Sequence, residues 1–348
     1  MEPRHSPAGH AVFVVVVALV VASLLDAQGL RRTAEQQPFG WKRTVGVAVT
    51  APLAWVSESL RLDRPRERLD VALGKDPPGA ARDRTGGGDP VAPVAASAAT
   101  SPPTPVPPRV PTAALPLRLW IIGDSMAQVF GQSLVNASVD SGVVAATLDY
   151  RISTGLTRPD YFDWPAEVAD RLPTLDPEVV VAMFGANDAQ GLLLDGSAVP
   201  YGTPAWRTEY ARRVGALMDR LTVGGRPVLW VSQPPMRSGS FSEKMRDLDV
   251  IYRREAARRP AVTFVDSTPV LGDDDGGWTP YLPGSGGRTL ARQADGIHLS
   301  RAGGDRLADV VLARIRALWE PGPERPGGTA ARSGQHGSGG EPRVGTRR

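Results

Sequence analysis

Five short apolar runs alternate with longer amphipathic segments between residues 117 and 319. The runs, rich in Val, Ile and Leu, are 119–122, 143–148, 179–184, 228–231 and 262–265. The amphipathic segments lie near 127–140, 164–174, 204–222, 242–258 and 301–318. Continuous apolar runs are typical of strands that are buried on both faces. The alternation therefore predicts an α/β fold in which helices cover both faces of a parallel sheet.

Polar and glycine residues follow these runs at the places where the strands would end. The first run leads into Gly123-Asp124-Ser125, Gly155 follows the second, and the third leads into 185–188 (GAND). A fourth cluster, 295–298 (DGIH), comes just before the last helical segment. Sites on parallel sheets form beyond the carboxyl ends of the strands. We therefore expect the four clusters to meet at one edge of the sheet.

Three of these residues have the side chains that nucleophilic catalysis needs. Ser125 stands where a strand gives way to a helix, whose N-terminus favours a developing oxyanion. His298 is the candidate base that accepts the serine proton, and Asp295 three residues earlier can orient its ring. Alternatively, Asp124 and Ser125 cap the helix, Asp295 caps a turn, and His298 is a packed or solvated residue.

Asn187 and Gly155 are candidates for an oxyanion hole, together with the backbone N–H of Ser125. The amide of Asn187 can donate a hydrogen bond, and Gly155 offers a backbone N–H with no side chain around it. Alternatively, Asn187 begins an Asx turn and Gly155 is an ordinary loop glycine. Each alternative is plausible singly, but chance does not explain all four clusters in this order.

The combination of Gly-Asp-Ser, a glycine in the second block, Gly-x-Asn-Asp and a late Asp-x-x-His resembles the SGNH (GDSL-type) hydrolase superfamily. The resemblance covers about 117–319. It implies a flavodoxin-like three-layer sandwich with a five-stranded parallel sheet in the order 2-1-3-4-5. It also implies Ser125 as nucleophile, His298 as base and Asp295 as its orienting partner. The implied oxyanion hole consists of the N–H groups of Ser125 and Gly155 and the side chain of Asn187.

Segment 153–164 (STGLTRPDYFDW) and the membrane-proximal Pro/Leu-rich helix are more narrowly similar to an exported bacterial SGNH subfamily. Arg151 and Arg158 flank the oxyanion glycine and are secondary candidates for substrate binding. A solvated salt bridge between Arg158 and Asp160 is the alternative. Four tryptophans are candidates for a carbohydrate platform, although aromatic residues more often belong to a core: Trp164, Trp206, Trp230 and Trp278.

The N-terminal region contains an apolar stretch of 20 residues, 8–27. As a helix it would be about 30 Å long, enough to cross a bilayer core. This predicts a transmembrane anchor, with a cleaved signal peptide and a buried soluble helix as alternatives. Arg31 and Arg32 follow the stretch, so the positive-inside rule does not favour a location outside the cytoplasm for the residues after it. The likeness to exported proteins nevertheless leads us to expect a single-pass protein of the cell membrane with its catalytic domain outside the cytoplasm.

The chain thus divides into five regions. They are an anchor (1–30), a juxtamembrane amphipathic segment (31–75), a Pro/Ala/Gly-rich linker (76–116), the SGNH hydrolase domain (117–319) and a disordered tail (320–348). Apolar residues recur with helical spacing in 41–73, where Pro52 and Pro65 are expected to divide the segment into short helices. The linker and the tail are too rich in Pro and Gly to bury a core.

Composition narrows the range of functions. The chain has no Cys and only four His, which excludes zinc–cysteine sites, iron–sulfur clusters, thiol catalysis and a His-rich metal site. Residues 117–319 hold 22 basic and 24 acidic side chains, so the positive net charge of +3 comes from the rest of the chain. Nucleic-acid binding is therefore not expected. We expect neither a metal nor a cofactor.

These observations predict an exported serine esterase that acts through an acyl-enzyme on O-acylated envelope glycans or small esters. One alternative is an O-acyltransferase with the same triad, which would need an acyl-donor protein in the membrane as partner. The other is a non-catalytic binding module on an SGNH fold. The choice of glycan rests on analogy with similar folds and not on the chemistry of any residue.

Overall fold

The structure, a computed structural model, describes residues 7–37, 41–59, 104–284 and 287–320. Five strands form one parallel sheet in the order β2-β1-β3-β6-β7. The strands are β1 (Leu117–Gly123), β2 (Val144–Tyr150), β3 (Val179–Met183), β6 (Val228–Val231) and β7 (Val262–Val265). This is the order that the SGNH resemblance implies. The predicted α/β fold with a five-stranded parallel sheet is confirmed.

Helices follow the strands as the amphipathic segments predict. They are α4 (Met126–Ser141), α5 (Trp164–Leu175), α6 (Pro204–Leu221), α7 (Gly239–Ala257), the short α8 (Thr268–Leu271) and α9 (Arg301–Arg316). Helix α9 packs against α4, and α6 contacts both α5 and α7. All residues of β3 and β6 are buried, although successive side chains point to opposite faces. Helices therefore cover both faces, and the core lies on both sides of the sheet.

Two antiparallel hairpins were not predicted. One pairs β4 (Leu192–Leu194) with β5 (Ser197–Val199), and the other pairs β8 (Tyr281–Gly284) with β9 (Gly287–Leu290). The first turns at Asp195 and Gly196, whose φ angles are 50° and 76°. An Asp-Gly pair is the usual sequence signal for such a two-residue turn. The signal was therefore present, but its flanking strands of three residues are short.

The described residues before the sheet form three helices: α1 (Pro7–Leu25), α2 (Ala27–Gln36) and α3 (Trp41–Ser59). The expectation that Pro52 divides its segment was wrong, because α3 continues through this residue. Proline removes one backbone hydrogen bond, but packing against a neighbour can compensate for the loss. Helix α3 packs closely on α2, where a Cβ on Gly46 would lie 3.1 Å from that of Ala34.

The predicted membrane anchor is not supported. Helix α1 ends at Leu25, and a turn at Asp26 separates it from α2. Among the described residues, no helix combines the length and the apolar character that crossing a membrane requires. Most of the predicted linker, the end of the juxtamembrane segment with Pro65, and nearly all of the predicted tail lie outside the described residues.

Candidate active site

Strand β1 leads into α4 through Gly123, Asp124 and Ser125. The backbone of β3 comes so close that a Cβ on Gly123 would overlap the carbonyl oxygen of Met183. Only glycine fits at this position without moving one of the two strands. The close approach brings the ends of β1 and β3 together, and these are the two strands that carry Ser125 and Asn187.

Asp124, a candidate cap of α4, joins these two strand ends. One carboxylate oxygen accepts the N–H of Met126 at 2.8 Å, and the other accepts the N–H of Gly185 at 2.9 Å. Complete burial raises the pKa of Asp124 to about 7, although the two N–H bonds oppose this shift. Asp124 thus fixes the position of Ser125 on one side and of the Asn187 loop on the other.

Ser125 does not cap its helix. Helices α5, α6, α7 and α9 each begin with a residue whose side chain accepts a backbone N–H of the first turn. No such bond forms at Ser125. Its hydroxyl lies 2.9 Å from Nε2 of His298 instead. Helix capping by the Ser125 side chain, the alternative to a catalytic role, is therefore not observed.

His298 links Ser125 to Asp295. Its Nδ1 lies 2.6 Å from one carboxylate oxygen of Asp295, whose other oxygen accepts the N–H groups of Ile297 and His298. An ionised carboxylate only accepts hydrogen bonds, so Nδ1 carries the proton and Nε2 is left to accept the serine proton. Burial acts to raise the pKa of Asp295, but the hydrogen bonds from His298 and Ile297 outweigh it and the pKa lies below its ordinary value.

A buried arginine that the sequence analysis missed supports this turn. Arg292 is 1% exposed and donates to the carbonyl oxygens of Pro235, at 2.6 Å, and Ile297, at 3.2 Å. Burial lowers the pKa of Arg292 to about 10, although nearby Asp295 opposes the shift. The guanidinium thus attaches the turn of His298 to the segment between β6 and α7. Arginine is seldom fully buried, and nothing local in the sequence indicates this role.

The loop after β2 and the loop after β3 are joined by a hydrogen bond, and they carry the candidate oxyanion donors Gly155 and Asn187. Asn187 donates from Nδ2 to the carbonyl oxygen of Thr154 at 3.0 Å, which leaves its second amide hydrogen for another acceptor. Gly155 follows directly. Within the described residues, the backbone N–H groups of Ser125 and Gly155 have no hydrogen-bond partner. Three donors thus remain available: these two N–H groups and the second amide hydrogen of Asn187.

A buried network below these donors was also missed. Asp188 accepts the N–H and hydroxyl of Thr157, at 2.8 and 2.9 Å, and the hydroxyl of Tyr210 at 2.8 Å. The hydroxyls of Tyr210 and Tyr252 lie 2.7 Å apart. A Cβ on Gly155 would overlap the Asp188 carboxylate, so glycine is required there. Burial raises the pKa of Asp188. The two tyrosines come from α6 and α7, far along the chain, which explains why no local motif reveals them.

The two secondary candidates do not converge on Ser125. Arg151 is exposed, donates to the carbonyl oxygen of Tyr150 and lies 5.8 Å from the ring centroid of Phe162. Arg158 is buried and forms a bidentate pair with Asp160. It also donates to Gln37 at 3.4 Å. Arg158 thus joins the N-terminal helices to the loop of Gly155. The alternative salt bridge is present, and it pairs a buried guanidinium with an exposed carboxylate.

The tryptophans belong mostly to the core. Trp164, Trp206 and Trp230 are fully buried, and Trp278 is half-buried beneath the guanidinium of Arg237. They do not form an exposed carbohydrate platform. Trp164 also contributes to the site, because its ring N–H donates to the hydroxyl of Thr154 at 3.0 Å, one residue before Gly155.

The family described as "Protein of unknown function (DUF459)" matches residues 118–314, more than half of the chain. The chain belongs to this family. The DUF459 match contains every residue from Ser125 to His298 that builds the site.

Two solved structures illustrate the similarity to known proteins. An alpha/beta hydrolase enzyme from the metagenome of Lake Arreo, Spain, is 18% identical with a TM-score of 0.43, and the match covers 57% of this chain and 95% of that one. A mutant of Axe2, an acetyl-xylooligosaccharide esterase from Geobacillus stearothermophilus, is 18% identical with a TM-score of 0.41, covering 57% and 93%. No curated protein sequence matches the chain.

The geometry defines what the site can do chemically. A hydroxyl, an imidazole and a carboxylate form a continuous line of hydrogen bonds. Such a line lets the imidazole accept the serine proton and makes the hydroxyl a nucleophile. This chemistry suits the cleavage of an ester bond.

Proposed function

We propose that the protein is a serine esterase that removes acyl groups through an acyl-enzyme, acting on O-acyl groups of envelope glycans or on small esters. The observation that carries this proposal is the pair of hydrogen bonds joining Ser125 to His298 and His298 to Asp295, at 2.9 and 2.6 Å. The available donors of Ser125, Gly155 and Asn187 support the same function.

In the first half of the reaction, Oγ of Ser125 attacks the ester carbonyl carbon while its proton passes to Nε2 of His298. The carbonyl oxygen becomes an oxyanion that the three donors bind. The intermediate then collapses, the bond from carbon to the alcohol oxygen breaks, and His298 gives its proton to the departing alcohol. Ser125 now holds the acyl group as an ester.

In the second half, His298 takes a proton from a water molecule that attacks the acyl-enzyme. The second tetrahedral intermediate collapses, the acid leaves, and Oγ regains the proton from His298. Asp295 stays ionised throughout and stabilises the imidazolium that forms in both halves. The low pKa of Asp295 is consistent with this role.

Turnover of p-nitrophenyl acetate by the full-length chain tests the proposal. Ser125→Ala should lower kcat/KM at least about 10³-fold, because no other group can form the acyl-enzyme. Ser197→Ala, at an exposed serine of β5, is the matched control and should leave the rate unchanged. A fluorophosphonate should label wild-type Ser125 and not the variant. Failure of the wild type to react with either reagent would overturn the proposal.

We also propose that the domain acts outside the cytoplasm. The likeness of segment 153–164 to exported SGNH proteins supports this location. Cell fractionation with a fluorophosphonate that does not enter cells is the test. Labelling of intact cells is expected, and labelling only after lysis would contradict the proposal.

A further inference from the structure

A pocket of about 460 Å³ opens beside the turn of His298. It is lined by Arg237, Ser238, Phe241, Asp295, Gly296 and Ile297. These residues come from the turn itself and from the start of α7. In the proposed reaction the departing alcohol takes its proton from His298. Asp295, which lines the pocket, contacts His298 at 2.6 Å, so the pocket is adjacent to the group that gives the alcohol its proton.

Arg237 is held rigidly at this pocket. Its guanidinium carbon lies 4.9 Å from the centroid of the Trp278 ring, and its backbone N–H donates to the carbonyl oxygen of Gly296 at 3.0 Å. A Cβ on Gly296 would lie 2.5 Å from Cβ of Arg237 and 2.8 Å from its Nε. The arginine stem thus fits between an aromatic ring and the one residue of the turn that has no side chain.

The charge of Arg237 is available to a ligand. Among the described residues, no carboxylate lies within ion-pair distance of its guanidinium, whereas Arg213 and Arg259, for example, are paired with glutamates. Asp295 also lines the pocket, but His298 and two backbone N–H groups already occupy its oxygens. A guanidinium is a planar donor that binds carboxylate or phosphate through two parallel hydrogen bonds.

We propose that this pocket binds the alcohol portion of the substrate, and that Arg237 recognises an anionic group, a carboxylate or a phosphate, on that alcohol. The inference rests on the proposed function and narrows its substrate class to esters of anionic alcohols. Phe241 and Ile297 provide the apolar walls against which the carbon skeleton of the alcohol packs. Arg237 is thus a specificity-determining residue, and Ser125, His298 and Asp295 perform the chemistry.

Two probes that differ only in charge test the role of Arg237. The acetyl esters 4-acetoxybenzoate and 4-acetoxybenzamide have the same acyl group and alcohols of nearly the same shape, one anionic and one neutral. We expect the ratio of their kcat/KM values, anionic over neutral, to fall about 10-fold in Arg237→Gln. The ratio cancels any general effect of the substitution on the catalytic groups. An unchanged ratio would overturn the inference.

A matched control separates a local contact from bulk charge. Arg254→Gln removes an exposed arginine in the last turn of α7, roughly 22 Å along the helix from its start. The ratio should stay at the wild-type value in this variant. An equal fall in both variants would show a long-range charge effect and would overturn the role of Arg237.

A second substrate pair tests which side of the ester carries the anion. Mono-4-nitrophenyl succinate has its charge on the acyl group, and 4-nitrophenyl butyrate is its neutral counterpart. Arg237→Gln should leave this ratio unchanged, and a fall here instead would place the anion on the acyl side and overturn the inference. Fluorophosphonate labelling of Ser125 separates this test from that of the proposed function. If the wild type is labelled and active, but Arg237→Gln does not change the ratio of the first substrate pair, this inference is refuted and the proposed function is not.

Discussion

The turn that carries His298 contains the carboxylate of Asp295, and the loop that carries Asn187 contains that of Asp188. The two carboxylates differ in their exposure to solvent and in the direction of their pKa shifts. Asp295 is 41% exposed, and hydrogen bonds from a ring that gains a proton during the reaction keep its pKa low. Asp188 is fully buried among hydroxyl and N–H donors, and burial raises its pKa. An exposed, charged carboxylate can stabilise an imidazolium, whereas a buried one held by neutral donors fixes the backbone around it. Substitutions should therefore affect catalysis at the first and stability at the second.

The largest effect is expected for Asp295→Asn. An amide in place of the carboxylate can donate to Nδ1 of His298 and then favours the tautomer whose Nε2 already carries a proton. Such a ring cannot accept the proton of Ser125, so kcat should fall about 10⁴-fold. The measurement is turnover of p-nitrophenyl acetate by the full-length variant.

The same variant also tests the contrast in stability. Because the Asp295 side chain is partly exposed, the urea midpoint of unfolding should stay close to that of the wild type. Asp305→Asn, at another exposed carboxylate, serves as the control for surface charge. A loss of activity below 10-fold would mean that Asp295 does not orient His298.

A smaller loss of activity is expected for Gly155→Ala. The added methyl group would overlap the Asp188 carboxylate, so the loop must move and its N–H must leave the oxyanion position. Loss of one such donor lowers kcat about 10²–10³-fold. Gly239→Ala is the control, since a Cβ there meets no atom within 4 Å. Equal rates for both variants would remove Gly155 from the oxyanion hole.

Tyr210→Phe should affect stability more than activity. The substitution removes the hydroxyl that bonds both Asp188 and Tyr252 in a fully buried position. Loss of these two hydrogen bonds from a buried network costs about 1–3 kcal/mol of the free energy of unfolding. Urea denaturation measures it, with Tyr281→Phe at a 45% exposed ring as control. If the two variants are equally stable, the buried network does not support the loop.

The sequence predicted the parts of this molecule that follow from local pattern. The five apolar runs became the five strands of the sheet, and each predicted amphipathic segment became a helix within a few residues of the expected bounds. The topology of a parallel sheet brings the ends of its strands together, and this made five residues candidates for the site: Ser125, Gly155, Asn187, Asp295 and His298.

What the sequence did not reveal depends on contacts between distant segments. Tyr210 and Tyr252 lie on separate helices. Arginine is a residue type usually found on the surface, and nothing in the local sequence indicates that Arg292 is buried. Arg237 was not singled out because its role depends on Trp278 and Gly296, which are far from it along the chain. The role of Pro52 was misjudged for a similar reason, since packing on α2 is not visible in the local pattern.

An effect that depends on pH is expected for a third carboxylate, Asp124, which resembles Asp188 in its burial. Burial raises the pKa of Asp124 from 3.8 to about 7, so between these values the folded chain holds a proton that the unfolded chain releases. This proton stabilises the fold fully below pH 3.8, and the contribution is lost as the pH rises through about 7.

Urea unfolding between pH 4.5 and 8 should therefore show that the free energy of unfolding of the wild type declines as the pH rises. The decline should be shallower in Asp124→Asn than in the wild type. Asp140→Asn, at an exposed site on α4, should keep the wild-type slope. Parallel curves for wild type and Asp124→Asn would mean that Asp124 stays ionised in the fold, as the charged Asp295 does.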